Sequence, residues 1–356
     1  MKILIDIGHP AHVHYFKNFI WIMQEKGHEL CIVAREKDVS FRLLDKYGFK
    51  YISRGKGAKK LIGKFFYLPK ADFIIYRNAR KFKPDIFISF SSPYLAHVSV
   101  LMNKPHIAFD DTEHARLEQK LFLPFTKIVC TPNCFNRNIG SKQIRFNGYM
   151  ELCSLHPEYF KPNIEVLNEI GVKENENYII LRFISWNASH DIGQTGIDIL
   201  TKKNLIFELS KHTKIFISSE AELPEEFKCY QLKVTPEKMH DLLAFASLYI
   251  GEGATMASEC AMLGTPAIYI NTLTAGTLEE QEKYGLITAY RTTAGVLEKV
   301  LELLETPDLK EIYQERRNKM LADMIDVTAF MVWFIESYPE SAKIMKENPD
   351  YQLRFK

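Results

Sequence analysis

The apolar positions of this chain switch repeatedly between two periods. Lys2–Ile7 is a short run of β-branched and aliphatic residues, Gly8-His9-Pro10 breaks it, and His14–Lys26 then spaces Phe16, Phe19, Ile20 and Met23 as on one helix face. Gly27-His28 stops that helix, and Glu29–Ala34 reads as the next strand. A strand, helix and strand joined this closely predict a parallel pair with a right-handed crossover. The alternation continues with helices over Phe41–Tyr47, Ala71–Lys81 and Tyr94–Leu101. Between them fall strands over Lys50–Ser53, Asp85–Phe90, His106–Phe109, Ile128–Thr131 and Ile144–Phe146.

A polar, acidic stretch from His156-Pro157 to Asn177, containing Pro162 and Gly171, reads as a linker. A second series follows, with strands over Tyr178–Ser185, Lys214–Ser219, Tyr230–Val234, Leu248–Gly251 and Pro266–Ile270. Helices over Gly196–Lys211, Pro236–Ala246, Thr255–Leu263 and Leu278–Tyr284 separate them, and helix resumes after Thr293–Glu305. Two such series predict an α/β protein of two Rossmann-like domains, residues 1–160 and 174–325, with a helical tail over 326–356. At the start of the tail and within it, Met324, Val327, Phe330, Met331, Phe334 and Ile335 share a helix face that must be buried, against the second domain or back across the first.

Composition adds one asymmetry. The net charge is only +2, yet residues 1–150 carry 25 Lys and Arg against 12 Asp and Glu, and the remainder 21 against 32. The densest basic stretch, residues 50–83, sets Lys56, Lys59, Lys60, Lys64, Arg77, Arg80 and Lys81 around Phe65, Phe66 and Tyr67. Interleaved cations and aromatics suit an anionic surface such as a membrane; a plain solvated face is the alternative. No nucleic-acid reader motif accompanies them. The six cysteines lack metal-site spacing and read as reduced thiols, and no apolar run is long enough to be a leader or a membrane span. A cytoplasmic protein, at most peripheral to a membrane, is therefore expected.

Four places carry candidate chemistry. In Leu248-Tyr249-Ile250-Gly251-Glu252-Gly253-Ala254-Thr255 a strand ends in a small-residue turn and a helix starts at once. Such a turn lets backbone amides and a helix N-terminus meet a diphosphate, and Glu259, one turn on, could accept ribose hydroxyls. The plain alternative makes Glu259 a solvent-facing helix residue. Around the first βα turn stand Asp6, Gly8, His9, His12 and His14, where imidazole could serve as a base; His14 could equally pack on its helix. Phe109-Asp110-Asp111-Thr112-Glu113-His114 follows a buried strand, and only one of its adjacent aspartates can face a ligand. Asp111 could alternatively cap a helix. Last, Arg182 at the end of a strand wants an anion, a diphosphate or a carboxylate such as Asp191.

With Gly253, Glu259 and Gly264-Thr265-Pro266 in a second Rossmann-like half, the chain resembles the GT-B superfamily of MurG-type glycosyltransferases and UDP-GlcNAc 2-epimerases. His9–Phe16, Phe109–Ala115, Gly148–Leu152, Leu155-His156-Pro157, Phe160-Lys161-Pro162, Arg182 and Trp186–Asp191 narrow the resemblance to the GT-B-like DUF354 family. It implies two domains facing a central cleft, the first on the acceptor side and the second binding a nucleotide sugar. Gly253, Ala254 and Thr255 would cradle the diphosphate, Glu259 would hold the ribose, and the turn at Gly8-His9 with the acidic loop at Asp110–His114 would face sugar and acceptor. The turn departs from its relatives by carrying Glu252, which must point away from a diphosphate or meet Arg182. The reading this supports is an inverting, metal-independent glycosyltransferase with a UDP-linked donor, no resident cofactor and a surface-polysaccharide or lipid-linked acceptor. Its base would be His9, Asp111 or Glu113. An NDP-sugar 2-epimerase or hydrolase, and a non-enzymatic nucleotide-sugar-binding protein, are the alternatives.

Overall fold

The structure, a computed structural model, describes residues 1–58, 61–174, 176–183, 197–219 and 222–356. It divides into two compact units, residues 1–159 with 324–356, and residues 160–323.

Unit 1 alternates β1 (Lys2–Ile7), α1 (Pro10–Glu25), β2 (Glu29–Ala34), α2 (Ser40–Lys46), β3 (Tyr51–Ser53), α3 (Leu61–Phe82), β4 (Ile86–Phe90), α4 (Pro93–Leu101), β5 (His106–Phe109), α5 (Arg116–Phe122) and β6 (Ile128–Pro132). It continues with β7 (Gln143–Phe146) and the short α6 (Leu152–Leu155). Its sheet is parallel throughout, ordered β3-β2-β1-β4-β5-β6-β7. Every residue of β4, β5 and β6 is buried, as expected of strands covered on both faces, which is why they read as unbroken apolar runs.

Unit 2 runs α7 (Val166–Glu169), β8 (Tyr178–Phe183), α8 (Ile199–Leu209), β9 (Lys214–Ser219), α9 (Met239–Phe245), β10 (Leu248–Gly251), α10 (Ala254–Leu263), β11 (Ala267–Ile270), α11 (Gly276–Lys283), β12 (Ile287–Tyr290), α12 (Val296–Glu305) and α13 (Leu309–Asp323). Its parallel sheet is ordered β12-β11-β10-β8-β9. The helical tail is not a separate body. It belongs to unit 1 as α14 (Val327–Glu336) and α15 (Glu340–Glu347). Val327, Phe330, Met331, Phe334 and Ile335 are fully buried, each worth about 1.5–3 kcal/mol of burial. Asp326 caps α14 through Ala329 N–H at 2.9 Å and accepts the Tyr159 hydroxyl at 2.6 Å; Lys26 reaches Glu336 at 2.7 Å.

Several expected elements differ. The strand expected over Tyr230–Val234 does not form: Glu225–Tyr230 is a 3-10 helix, and the segment meets the edge strand β9 through the single bridge Ile217–Gln231. The strand β12 was not expected, because Ile287–Tyr290 is short and only its first residue is buried. Helix α3 starts ten residues before Ala71 and runs through Pro69, a residue that normally ends a helix. Helix α5 has no capping carboxylate; its N-cap is Ala115 rather than Asp111.

In each sheet the order of successive strands reverses once, between β1 and β4 and between β10 and β8. Open α/β sheets bind ligands beyond the carboxyl ends of the strands at that reversal. Asp6 is paired in register with Ser89 across the first, and Gly251 with Arg182 across the second.

Candidate functional site

At the reversal in unit 2, β10 ends at Gly251 and α10 begins at Ala254. Gly251 has no room for a side chain: an added Cβ would lie 2.4 Å from Tyr249 Oη and 2.8 Å from the Arg182 carbonyl oxygen. Gly253 is the N-cap of α10 and brings no side-chain acceptor to it. The amides that open α10, those of Ala254 and Thr255, have no intrahelical acceptor and carry the positive end of the helix dipole. Ala254 is exposed and Gly253 and Thr255 are half-buried. Arg182 extends from the neighbouring strand, with Nη1 donating to Ser218 Oγ on β9 at 2.9 Å. Arg182, Ser218 and the Gly253–Thr255 backbone therefore share the carboxyl edge of this sheet.

The two acids of this motif are both engaged. Glu252 is held from the α8 side: its Oε2 lies 3.2 Å from Lys202 Nζ on α8, and its Oε1 accepts the Ile197 N–H at 2.7 Å. An acid in the turn thus adds no open negative charge where an anion would sit. Glu259 is not solvent-facing; it is 8% exposed, with Oε1 3.1 Å from His240 Nε2 on α9. A carboxylate offers about four lone-pair directions, so one bond to His240 fixes its orientation without exhausting it.

At the reversal in unit 1, Asp6 is buried at the end of β1. It accepts Arg54 Nε at 2.8 Å and Nη2 at 3.2 Å, and Ser92 Oγ at 2.5 Å. The first turn closes over this cluster: Gly8 N–H donates to His12 Nδ1 at 3.2 Å, and His9 caps α1 by accepting the Ala11 N–H at 3.2 Å. Burial first, then the charges of His9, Lys37 and Arg54, hold the His12 pKa well below its usual value, so the ring is neutral near pH 7. His14 is buried on α1, edge-on to Tyr47.

Beyond β5 the two aspartates separate. Asp110 is buried and accepts the Thr112 N–H at 2.9 Å and Gln119 Nε2 at 2.8 Å; burial nevertheless raises its pKa to about 6. Asp111 is only half-buried and accepts Thr112 Oγ1 at 3.0 Å. Burial, and next the charge of Asp110, raise its pKa to about 7. Glu113 is buried and its Oε1 accepts the Asn136 N–H at 2.8 Å, which anchors a loop; His114 is exposed. Among the described residues no group of three His, Cys, Asp or Glu is placed to hold a metal ion.

The profile of the DUF354 family, described as proteins of unknown function, matches residues 1–338. This chain is a DUF354 protein. An uncharacterized protein of Methanocaldococcus jannaschii is 26% identical to it over 75% of this chain and 81% of its own length. Among solved structures, the UDP-GlcNAc 2-epimerase of Neisseria meningitidis, bound to UDP-GlcNAc, superposes with a TM-score of 0.66 at 13% identity, covering 88% of this chain and 94% of that one. The MurG of Acinetobacter baumannii gives 0.57 at 16%, covering 94% and 99%. The Streptomyces glycosyltransferase SsfS6 gives 0.58 at 12%, covering 95% and 100%. The fold of the DUF354 chain is thus that of the GT-B proteins, two Rossmann-like units.

Within this DUF354 protein the structure groups Arg182 with Gly253, Ala254 and Thr255, and Glu259 lies on the same helix α10. It sets Gly8, His9 and His12 together, and Asp110 beside Asp111. It commits Glu113 to a loop. Residues 184–191, which include Trp186, His190 and Asp191, lie outside the described residues. Four partners were not singled out from sequence: Arg54, Lys202, Ser218 and His240. Lys202 had a readable signal, since it shares a helix face with Leu205, Ile206 and Leu209, all buried. A cation on such a face requires an acid.

Proposed function

We propose that this chain is a nucleotide-sugar-dependent glycosyltransferase. In this reading the diphosphate rests on the amides of Ala254 and Thr255 with Arg182 beside it, and Glu259, oriented by His240, accepts the ribose hydroxyls. Arg182 and the helix start would stabilise the departing nucleotide diphosphate, the task a cation performs elsewhere. The supporting observation is the glycine turn at the reversal of the second sheet, where Arg182 is in register with Gly251 and Glu252 is drawn off to Lys202. Asp111 is the base of choice on the acceptor hydroxyl, because it is the less buried of the two aspartates, and burial with the charge of Asp110 raises its pKa towards neutrality. Glu113 and His9 serve less well, the first holding a loop and the second capping a helix.

Asp111 also supports a second reading, an NDP-sugar 2-epimerase or hydrolase, since one carboxyl whose pKa is raised towards neutrality could take a proton from the sugar and return it. Thermal unfolding with UDP and a panel of UDP-sugars tests the shared part. At a hundredfold excess over Kd a ligand adds about 2.7 kcal/mol, a rise of several degrees. Arg182→Met and Glu259→Ala should each remove that rise, measured from each variant's own unliganded melting point; an undiminished rise in both places the nucleotide elsewhere. Incubating donor alone separates the readings, because an epimerase or hydrolase consumes it and a transferase waits for an acceptor.

A further inference from the structure

Helices α3, α4 and α5 form one layer of unit 1, and their outward surface is unusually apolar. On α3, Ala71, Ile75 and Ala79 are buried, and Ile75 and Ala79 pack with Leu95 and Val98 of α4. The opposite side shows Phe66 and Phe73, two turns apart and 70% and 65% exposed. His97 of α4 binds its neighbours together: Nδ1 lies 3.0 Å from Asp72 Oδ2 on α3, Nε2 lies 3.1 Å from the Leu121 carbonyl oxygen on α5, and its ring stands edge-on to Phe125 at 4.8 Å. Around that knot Leu101 and Leu117 are 67% and 66% exposed, and Val100, Leu121 and Phe125 are exposed as well.

Charge decides what such a surface fits. The three helices carry seven Lys and Arg against two acids, Asp72 and Glu118, and Asp72 is held by His97. On α3, Lys70, Arg77 and Arg80 share the exposed side with the two phenylalanines. Rings and aliphatic chains that enter the headgroup region, flanked by cations that meet phosphates, match an anionic bilayer. We infer that the α3–α4–α5 surface docks this protein on an anionic lipid membrane, with Phe66 and Phe73 inserted and Arg77 and Arg80 on the headgroups. The apolar part comes from α4 and α5 as much as from the basic stretch at 50–83, so it is assembled only by the fold. The inference does not rest on the nucleotide reading, since no residue of α10 takes part.

Co-sedimentation of the whole chain with vesicles tests it. Vesicles of phosphatidylglycerol and phosphatidylcholine should carry the protein down, pure phosphatidylcholine should not, and rising salt should release it. Phe66→Ser with Phe73→Ser should weaken binding about a hundredfold, roughly tenfold per ring. Arg77→Gln with Arg80→Gln should weaken it about tenfold or more and flatten the salt dependence. Unchanged far-ultraviolet circular dichroism shows that both pairs of substitutions leave the helices folded. Failure of the parent chain to sediment with anionic vesicles overturns the inference, as does parent-like binding by both double variants. So does a concentration-dependent dimer that the phenylalanine substitutions abolish, which would make the surface a self-association face.

Discussion

Lys202 on α8 and Glu252 in the turn after β10 form an ion pair, 3.2 Å between Nζ and Oε2, with side chains 3% and 5% exposed. The pair explains how an acid can stand between Gly251 and Gly253 beside a candidate anion site. Its carboxylate is turned into the unit, where Ile197 N–H also binds it. Removing one partner of a buried pair costs far more than the pair itself contributes, because the other charge stays behind. Lys202→Met is therefore expected to lower stability by about 3–5 kcal/mol in denaturant unfolding. Adding Glu252→Gln should recover part of that loss, and a double variant as unstable as the sum of the singles would show that the two side chains are not coupled.

The two glycines of the same turn should respond oppositely to alanine. At Gly251 the methyl group would press on Tyr249 Oη and on the Arg182 backbone, which cannot retreat without opening the sheet. Overpacking of this kind costs about 1–3 kcal/mol. At Gly253 the nearest atoms would be 3.7 and 3.8 Å away and φ is −91°, so the folded chain has space for alanine. Gly253→Ala should unfold like the parent and, on the proposed nucleotide site, lose affinity for UDP in calorimetry, because the methyl group would stand where that reading puts the diphosphate. Equal affinity would show that the anion does not come near this residue.

How much of this was legible follows from what burial leaves in a sequence. The central strands of unit 1 are buried on both faces and announce themselves, and α10 opens at a glycine turn that can be read directly. The edges could not be read so well. Strand β12 is only partly buried, and the stretch beside β9 has apolar character but a single bridge to it. Site residues follow the same division. Gly253 and Glu259 lie within one local motif, and Arg182 stands out as a cation ending an apolar strand, whereas Ser218, Lys202 and His240 arrive from three other elements with no local sign of the site. Asp6 inside an apolar strand signals a missing cation, yet nothing local says that Arg54, 48 residues on, supplies it.

Asp111 gives the reaction its pH dependence if it is the base. Its folded pKa of about 7 lies well above the usual carboxyl value of about 3.9, so the rate under kcat/KM conditions should climb with pH and level off above about 7. The stability effect has the opposite sense. Folded Asp111 and Asp110 hold protons that the unfolded chain has already released, so stability should fall as pH rises from about 4 towards 7. Asp111→Asn removes the charge and with it part of that fall, so the variant should be at least as stable as the parent at pH 8. It should also lose about a hundredfold or more in turnover. A stable, fully active Asp111→Asn protein would move the base to another side chain.

Arg54 supports the first turn in a way that charge alone does not reproduce. Its Nε and Nη2 grip the two oxygens of Asp6, Nη1 donates to Tyr67 Oη at 2.8 Å, and its Cζ lies 4.6 Å from the Tyr94 ring centre. Gly8 sits directly above, since a Cβ there would be 3.5 Å from Nη2. Arg54→Ala leaves Asp6, 1% exposed, without its cation, and should cost about 3–5 kcal/mol. Arg54→Lys restores a positive charge but not the planar fork or the stacking, so it should recover only part of that loss. A cycle of Arg54→Ala, Asp6→Ala and the double variant separates the pair from the packing around it. Coupling above about 1 kcal/mol is expected for side chains in direct contact, and strict additivity would mean that Arg54 acts through Tyr67 and Tyr94 alone.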